Sequence, residues 1–372
     1  MLESMYSGIS GMSASNQELN VIGNNIANSQ TTAFKASNVT FADMFSQTVQ
    51  QSTAPTATSG GINSSEVGTG TKVEEITKNM TNGSTMTTNN PLDNFINGNG
   101  FFILGTGPVT DDNTSANAIS VDSGSTSGTT ATSATSTASG TTITHGVTTP
   151  AGVALNFSRD GAFSLDADGN LVNATGDRVM GYSVSGSGSD GTAVTNSITT
   201  STATPPVTTV SFVDGSGNGT VVANDKVLVP LVIPSTVTET DGTVEKVSSY
   251  SIGQNGVITA TLADNKVAAI GQIALASFNN EEGLDDIGNN MYSTSSNSGD
   301  AILNTGVNST STNVNSNGDA YGSIKSNTLE ASNVDLATEF SNMIEASRSF
   351  EANGKIISTG DEILQAIINL KQ

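Results

Sequence analysis

The sequence predicts a multidomain chain in which helices at its two extremities pair as an α-helical coiled-coil domain, with mainly-β outer domains nested between them as a discontinuous insertion. Three observations lead there. Apolar residues recur on a 3-4 spacing over long stretches only near the two ends, which is the pattern that keeps one stripe facing a partner helix. The interior alternates apolar and polar residues between Asn-Gly and Asp-Gly turns, the signature of short antiparallel strands. No third or fourth helical pattern offers a bundle to receive the end helices. The expected division is 1–30 with 332–372 as the terminal helical domain and 31–69 with 318–331 as a connector. Residues 70–182 with 268–317 form a β-rich domain carrying a Ser/Thr-rich insert at 106–152, and 183–267 form an outer β-domain.

The first helix carries the stripe Leu2, Met5, Ile9, Met12, Asn16, Leu19, Gly23, Ile26, with Ile22 beside it, and is expected to end near Asn28, before the polar run Ser29-Gln30-Thr31-Thr32. Gly8, Gly11 and Gly23 each cost it about 1 kcal/mol relative to alanine, so it needs packing to become ordered. Residues 34 to 69 read as an irregular connector around one apolar knot, Phe41 to Phe45. Lys72 to Thr88 then alternates about Asn82-Gly83, which predicts a hairpin. The run Phe101-Phe102-Ile103-Leu104 predicts a buried strand.

After the insert, strand pattern resumes at Leu155 to Leu165, turns at Asp168-Gly169-Asn170 and returns through Val179 to Tyr182. Further strands are expected over Val207–Phe212, Lys226–Ile233, the hairpin about Asn255-Gly256, and Ile270–Phe278. The closing helix is expected to start at Ser332 or Asn333 as N-cap and to run to about Leu370. Its stripe is Leu336, Phe340, Met343, Ser347, Phe350, Gly354, Ile357, Asp361, Leu364, Ile368.

Composition narrows the chemistry. The 372 residues are 35% hydrophobic and 5% aromatic, which predicts thin, β-type cores. With 34 acidic against 12 basic residues the net charge is -22, which opposes binding to nucleic acid or anionic lipid. The chain has no cysteine, so it has no disulfide or thiolate chemistry. No apolar run approaches the roughly 20 residues of a membrane span, so membrane insertion is not expected. The start lacks a basic region followed by an unbroken apolar core, so it does not read as a cleavable secretory signal, and a chain of this kind that leaves the cell has to do so with its N-terminus uncleaved.

Candidate reactive groups are sparse. The single histidine, His145, stands in the Ser/Thr-rich insert, where a solvated loop residue is the simpler reading. Asp166-Ala167-Asp168-Gly169-Asn170 has the start of a calcium loop without its terminal glutamate and reads as a turn. Asp285 and Asp286 beside Glu281 and Glu282 read as a solvated acidic loop. No catalytic set, metal or cofactor is expected.

The segment Asn20-Val21-Ile22-Gly23-Asn24-Asn25-Ile26-Ala27-Asn28, followed by Thr31 and Phe34-Lys35, closely resembles the N-terminal signature of the bacterial flagellar rod and hook axial proteins. The likeness continues through Phe95 to Phe102, Ser158-Arg159-Asp160-Gly161-Ala162-Phe163 and Ser332-Asn333-Val334-Asp335-Leu336. It departs at Ala33, where that family usually has glycine, a residue suited to positive φ.

The resemblance implies a structural, self-polymerising subunit, with the terminal helices forming an inner tube and the β-domains stacked outward. Phe41 to Phe45 and Ile270 to Phe278 are similar to the hook branch, which implies a homopolymeric flexible joint transmitting torque at the cell exterior. The implied partners are further copies of the chain, the distal rod protein, the hook cap and hook-filament junction proteins, and the flagellar type III export apparatus. The residues expected to meet on assembly are Leu2, Met5, Ile9, Met12, Leu19, Ile22 and Ile26 with Leu336, Phe340, Met343, Phe350, Ile357, Leu364 and Ile368. A distal rod subunit and a secreted carbohydrate-binding or hydrolytic β-protein are the alternatives, and the absence of tryptophan counts against the latter.

Overall fold

The computed structural model describes residues 2–56, 60–107, 119–121, 147–148, 153–188, 191–196, 198–200, 208–216, 221–304, 306–308 and 321–370. The expected insert at 106–152, with His145, therefore lies almost wholly outside the described residues. The chain divides into two compact units, one of residues 1–81 with 332–372 and the other of 82–331.

The first unit is built on helices α1 (Leu2–Ala27) and α2 (Leu336–Leu370), about 39 and 52 Å long at 1.5 Å per residue. They pack on one another. Asn28 ends α1 by folding back, its side-chain amide donating to the Asn24 carbonyl at 3.0 Å while its oxygen accepts from the Thr31 hydroxyl at 3.1 Å. Ala33 then takes φ 55°, with its methyl buried at 1% exposure. An L-residue there costs about 1 to 2 kcal/mol, so the backbone keeps the left-handed turn even without glycine.

The N-cap of α2 is Asp335 rather than Ser332 or Asn333. Its carboxylate accepts from the Ala337 amide at 3.0 Å and from the Thr338 hydroxyl at 3.0 Å, and its carbonyl takes the first helical bond, from Glu339. Those bonds hold the Asp335 carboxyl below its ordinary value. Asn333 is used elsewhere: its side chain accepts from the Ala36 amide at 2.8 Å and donates to the Asn79 carbonyl at 2.8 Å.

Residues 34 to 69 are not the irregular connector expected from composition. They contain β1 (Ser37–Asp43), β2 (Ser46–Gln50) and β3 (Ser65–Gly68). β1 pairs antiparallel with β4 (Thr71–Lys78), with a bulge at Thr40/Phe41, and β2 pairs with β3. The expected knot does not collapse on itself: Phe45 is 88% exposed. Alternation over Val39, Phe41 and across to Val73 and Ile76 was weak, because threonine, asparagine and alanine fill the intervening positions.

The hairpin expected about Asn82-Gly83 is also absent. β4 turns to β1, whereas β5 (Thr85–Thr87) pairs with Thr328–Glu330 from the far end of the second unit. Long-range partners override the local turn signal, since the Gly83 amide donates to the Glu330 carboxylate at 2.9 Å.

The second unit is organised around β6 (Asn94–Asn97) and β7 (Phe101–Thr106). β7 is buried from Phe101 through Gly105, as a continuous apolar run requires. It pairs with Ala154–Ser158, Arg178–Ser187 and Leu275–Ser277. The strand Arg178–Ser187 continues beyond β7 to pair with Val222–Pro230 and Val267–Ile273. One core gathers Phe102, Leu104, Phe163, Val179, Ile258 and Ile273, and a smaller one Phe212, Val237, Leu262 and Ala268.

Edge-to-face rings brace this unit, with Phe102 and Phe163 centroids at 5.0 Å in the first core and Phe157 and Phe278 at 4.9 Å. Asn255-Gly256 makes the hairpin turn its sequence predicts, with Gly256 at φ 80° and Ile252 opposite Ile258.

Candidate assembly interface

The face of α1 that meets α2 combines small and polar residues with a few large apolar ones, Met5 and Met12 among them. Gly8, Gly11, Ser15, Ile22 and Asn25 are buried on a 3-4 spacing, with Glu18 between them. This seam lies about one position N-terminal to the stripe read from large apolar residues. A Cβ at Gly8 would sit 3.3 Å from Ile357 Cγ1 and 3.4 Å from the Asn353 carbonyl oxygen. At Gly11 it would meet the Asn353 side-chain amide at 2.7 Å. Ser15 and Ser349 share a hydrogen bond of 3.1 Å. On α2 the buried partners are Ala346 and Gly360, the latter with Met5 Cγ only 3.1 Å from where its Cβ would be. Glycine and serine let the two backbones approach closely, which large side chains would prevent.

The stripe residues flank this seam. Ile22 is buried, and Met5, Met12, Leu19 and Ile26 are half-buried, as are Met343, Phe350, Ile357 and Leu364. Ile9, Leu336, Phe340 and Ile368 are exposed, Ile9 at 51% and Ile368 at 61%. Leu2 belongs to α1, but its side chain is outside what the structure describes. Ile344, Ile356, Ile363 and Ile367 are also exposed on α2, and Tyr6 on α1. The helix pair thus joins through its smallest residues and turns many of its largest apolar ones outward. Scoring size alone misses the seam; the 3-4 run Gly8, Gly11, Ser15 is the signal that marks it.

The polar contacts of this face fix how the chain leaves α1. Asn25, 1% exposed, donates to the Ser37 carbonyl at 2.8 Å and to Glu339 at 3.0 Å, and accepts from the Ser37 amide at 3.0 Å. Lys35 is buried with its Nζ donating to the Thr81 carbonyl at 2.8 Å. Of the other signature residues, Asn20 and Asn24 are exposed and bond to Asn16 and Asn28 on the helix surface, Gly23 has nothing within 4 Å of a Cβ, Ala27 is exposed and Phe34 is half-buried.

Glu18 and Glu345 line a groove of about 420 Å³ with Ser15, Ser349 and Asn353. Burial first, and then the Glu345 charge, push the Glu18 carboxyl above its ordinary value. Burial does the same to Glu339, opposed by its bond from Asn25.

The remaining sequence candidates fall into plain structural roles. Asp166 caps its own turn, accepting from the amides of Asp168 at 3.0 Å and Asn170 at 2.7 Å, with Gly169 at φ 86°. Asp285 and Asp286 lie in an exposed strand, Asp285–Gly288. Among the described residues no cluster of three metal-ligating side chains occurs, and no helix is long and apolar enough to cross a membrane.

Comparison with known proteins bears on these same helices. Residues 5–35 match the family described as flagella basal body rod protein, and residues 325–370 match the flagellar basal body rod FlgEFG protein C-terminal family. Over its whole length the chain is 35% identical to the flagellar basal-body rod protein FlgG of Bacillus subtilis, across 373 aligned residues that cover all of both proteins. The chain belongs to the flagellar rod and hook axial protein family. It is also 28% identical to the flagellar hook protein FlgE of Escherichia coli, over 98% of each chain. Among solved structures, Helicobacter pylori hook protein FlgE2 overlaps 66% of this chain and all of its own at 9% identity, with a TM-score of 0.35. In the terms of this family, the two matched segments hold α1 with its exit turn, and α2 with the strands that lead to it.

Proposed function

We propose that this chain is the subunit of the flagellar hook, polymerising with itself into a flexible tube outside the cell that passes torque from rod to filament. The observation that carries the polymer is the outward-facing apolar surface of the helix pair: Ile9, Phe340, Ile344, Ile363 and Ile367 face solvent on the isolated chain. Packing these side chains against neighbouring copies, in coiled-coil fashion, offsets the roughly 1 to 2 kcal/mol per residue lost when helices order, and so couples folding of the ends to assembly. Leu2, Met5, Met12, Leu19, Ile22, Ile26, Leu336, Met343, Phe350, Ile357, Leu364 and Ile368 complete the contact set. In this reading the β-domains stack outward, 183–267 outermost, with the distal rod protein and hook cap and junction proteins as end partners. The chain leaves through the type III export apparatus with its N-terminus intact.

The hook reading is supported by the likeness of Phe41 to Phe45 and Ile270 to Phe278 to the hook branch and by the 28% identity to a hook protein over 98% of each chain. Full-length identity to a rod protein supports a second reading, a distal rod subunit forming a stiff shaft. Electron microscopy of the purified native polymer separates them. Curved, bendable tubes are expected; short straight shafts would replace the hook reading with the rod.

A further inference from the structure

The least expected chemistry in the molecule surrounds Asn82-Gly83, the point where the chain enters the β unit. Arg159 and Glu330 are each 2% exposed and face one another, Nε to Oε2 at 3.3 Å. The guanidinium spends two further bonds on the carbonyls of Gly98 at 2.9 Å and Gly100 at 2.6 Å, and lies over the Phe101 ring. Its remaining nitrogen, Nη2, donates to the side-chain oxygen of Asn82. The other oxygen of Glu330 accepts the amide hydrogen of Gly83 at 2.9 Å. Asn82 itself is exposed to water.

This arrangement has the parts of an acyl-transfer site. The acyl group is the Asn82 side-chain amide, and the nucleophile is the backbone nitrogen of the next residue, which as glycine has no side chain to hinder it. A fixed cation donates to the oxygen on which negative charge develops. A buried carboxylate holds the proton that the nucleophile must lose. We propose that Asn82-Gly83 is a self-modification site at which Arg159 and Glu330 promote succinimide formation and loss of ammonia.

The Gly83 nitrogen bonds to Asn82 Cγ as its proton passes to Glu330, and Arg159 holds the resulting oxyanion. Collapse breaks the bond from Cγ to Nδ2, which takes the proton back from Glu330 and leaves as ammonia. Water then opens the ring at either carbonyl to give aspartate or isoaspartate. The net change is asparagine plus water to an acidic residue plus ammonia, with no redox partner needed. The inference stands apart from the assembly reading, because every group involved lies within the β unit.

Asn255-Gly256 supplies an internal control in the same unit. Its side-chain oxygen accepts only the neutral Val257 amide at 3.2 Å, and the Gly256 amide donates to the Gly253 carbonyl at 2.9 Å, so neither cation nor carboxylate is applied. The test is to incubate the purified full chain at neutral pH and follow both sites by peptide mass mapping, using fragmentation that separates isoaspartate from aspartate. A parallel sample is held unfolded in urea.

At Asn82 the folded chain is expected to convert at least about tenfold faster than the unfolded one, on the scale of one well-placed donor or base. Asn255 is expected to convert no faster folded than unfolded. Glu330→Gln, which keeps an acceptor for Gly83 but removes the base, should bring Asn82 down towards its unfolded rate while Asn255 is unchanged. A folded rate at Asn82 equal to or below the unfolded rate overturns the proposal and makes the contact a lock. A fast folded rate that persists in both Glu330→Gln and Arg159→Lys, each confirmed folded by circular dichroism, overturns the assigned roles.

Discussion

The two units of this chain use apolar residues in opposite ways. Among the described residues, the β unit leaves only Met86, Leu165, Val244 and Ile287 as exposed large apolar side chains, while burying Phe101, Phe102, Leu104, Tyr182 and many others. Among its described residues, the helical unit buries only Ala14, Ile22, Ala33 and Ala346 of its apolar side chains, and exposes Phe45, Ile344, Ile363 and Ile367. At about 25 cal/mol per Å² of apolar surface removed from water, the β unit has far more burial to hold it folded than the helical unit has. The contrast teaches that burial here is divided: one unit covers its apolar side chains, and the other leaves many of them open to solvent.

The strongest way to break that comparison is truncation. Removing residues 332–372, or 1–28, is expected to abolish tube formation while leaving a soluble β-rich monomer with a cooperative melt; normal tubes from either truncation would sink the role given to that helix. Next in size is Arg159→Met in the β unit. It strands the buried Glu330 carboxylate and should cost about 3 to 5 kcal/mol in urea unfolding, most of it recovered in the double variant Arg159→Met with Glu330→Leu.

Gly8→Val probes the other unit. Its side chain meets Ile357 and the Asn353 backbone, so the helix pair should lose about 1 to 3 kcal/mol, read as a higher critical concentration for assembly. Gly23→Ala, at a position with open space, should instead lower that concentration, since alanine favours helix by about 1 kcal/mol.

The smallest effect concerns pH. The folded state holds the Glu18 proton more tightly than the unfolded chain does, so between the ordinary carboxylate value and the raised folded value, stability falls as pH rises. Acidification from neutral through that window should tighten the helix pair, and Glu18→Gln should flatten the dependence in a helix-pairing assay.

Much of this was legible in the residues. The extent of α1, the end of α2, the buried run of β7 and the turn at Asn255-Gly256 follow from period, polar stops and turn chemistry alone. Met5, Met12 and Ile357 of the expected stripes do lie at the helix contact, whereas the glycine and serine positions beside them on α1 carry no hydropathy signal though they allow the closest approach. Asn82-Gly83 carries a strong hairpin signal, yet its partners stand 77 and 247 positions away, a separation that local pattern cannot register. The strands β1 to β3 were missed because few of their side chains are buried in the chain by itself.

Ser15 finds Ser349 across 334 positions of sequence, with the whole β unit intervening. Contacts at that separation form late, since the loop they close must be gathered first. A chain emerging from its N-terminus can therefore complete its β unit while α1 still has no partner. The helix pair becomes possible only when the last segment arrives. If the helix pair is the polymer contact proposed above, chains interrupted part-way would lack that surface, and the order of the chain would act as a completeness check on what is assembled.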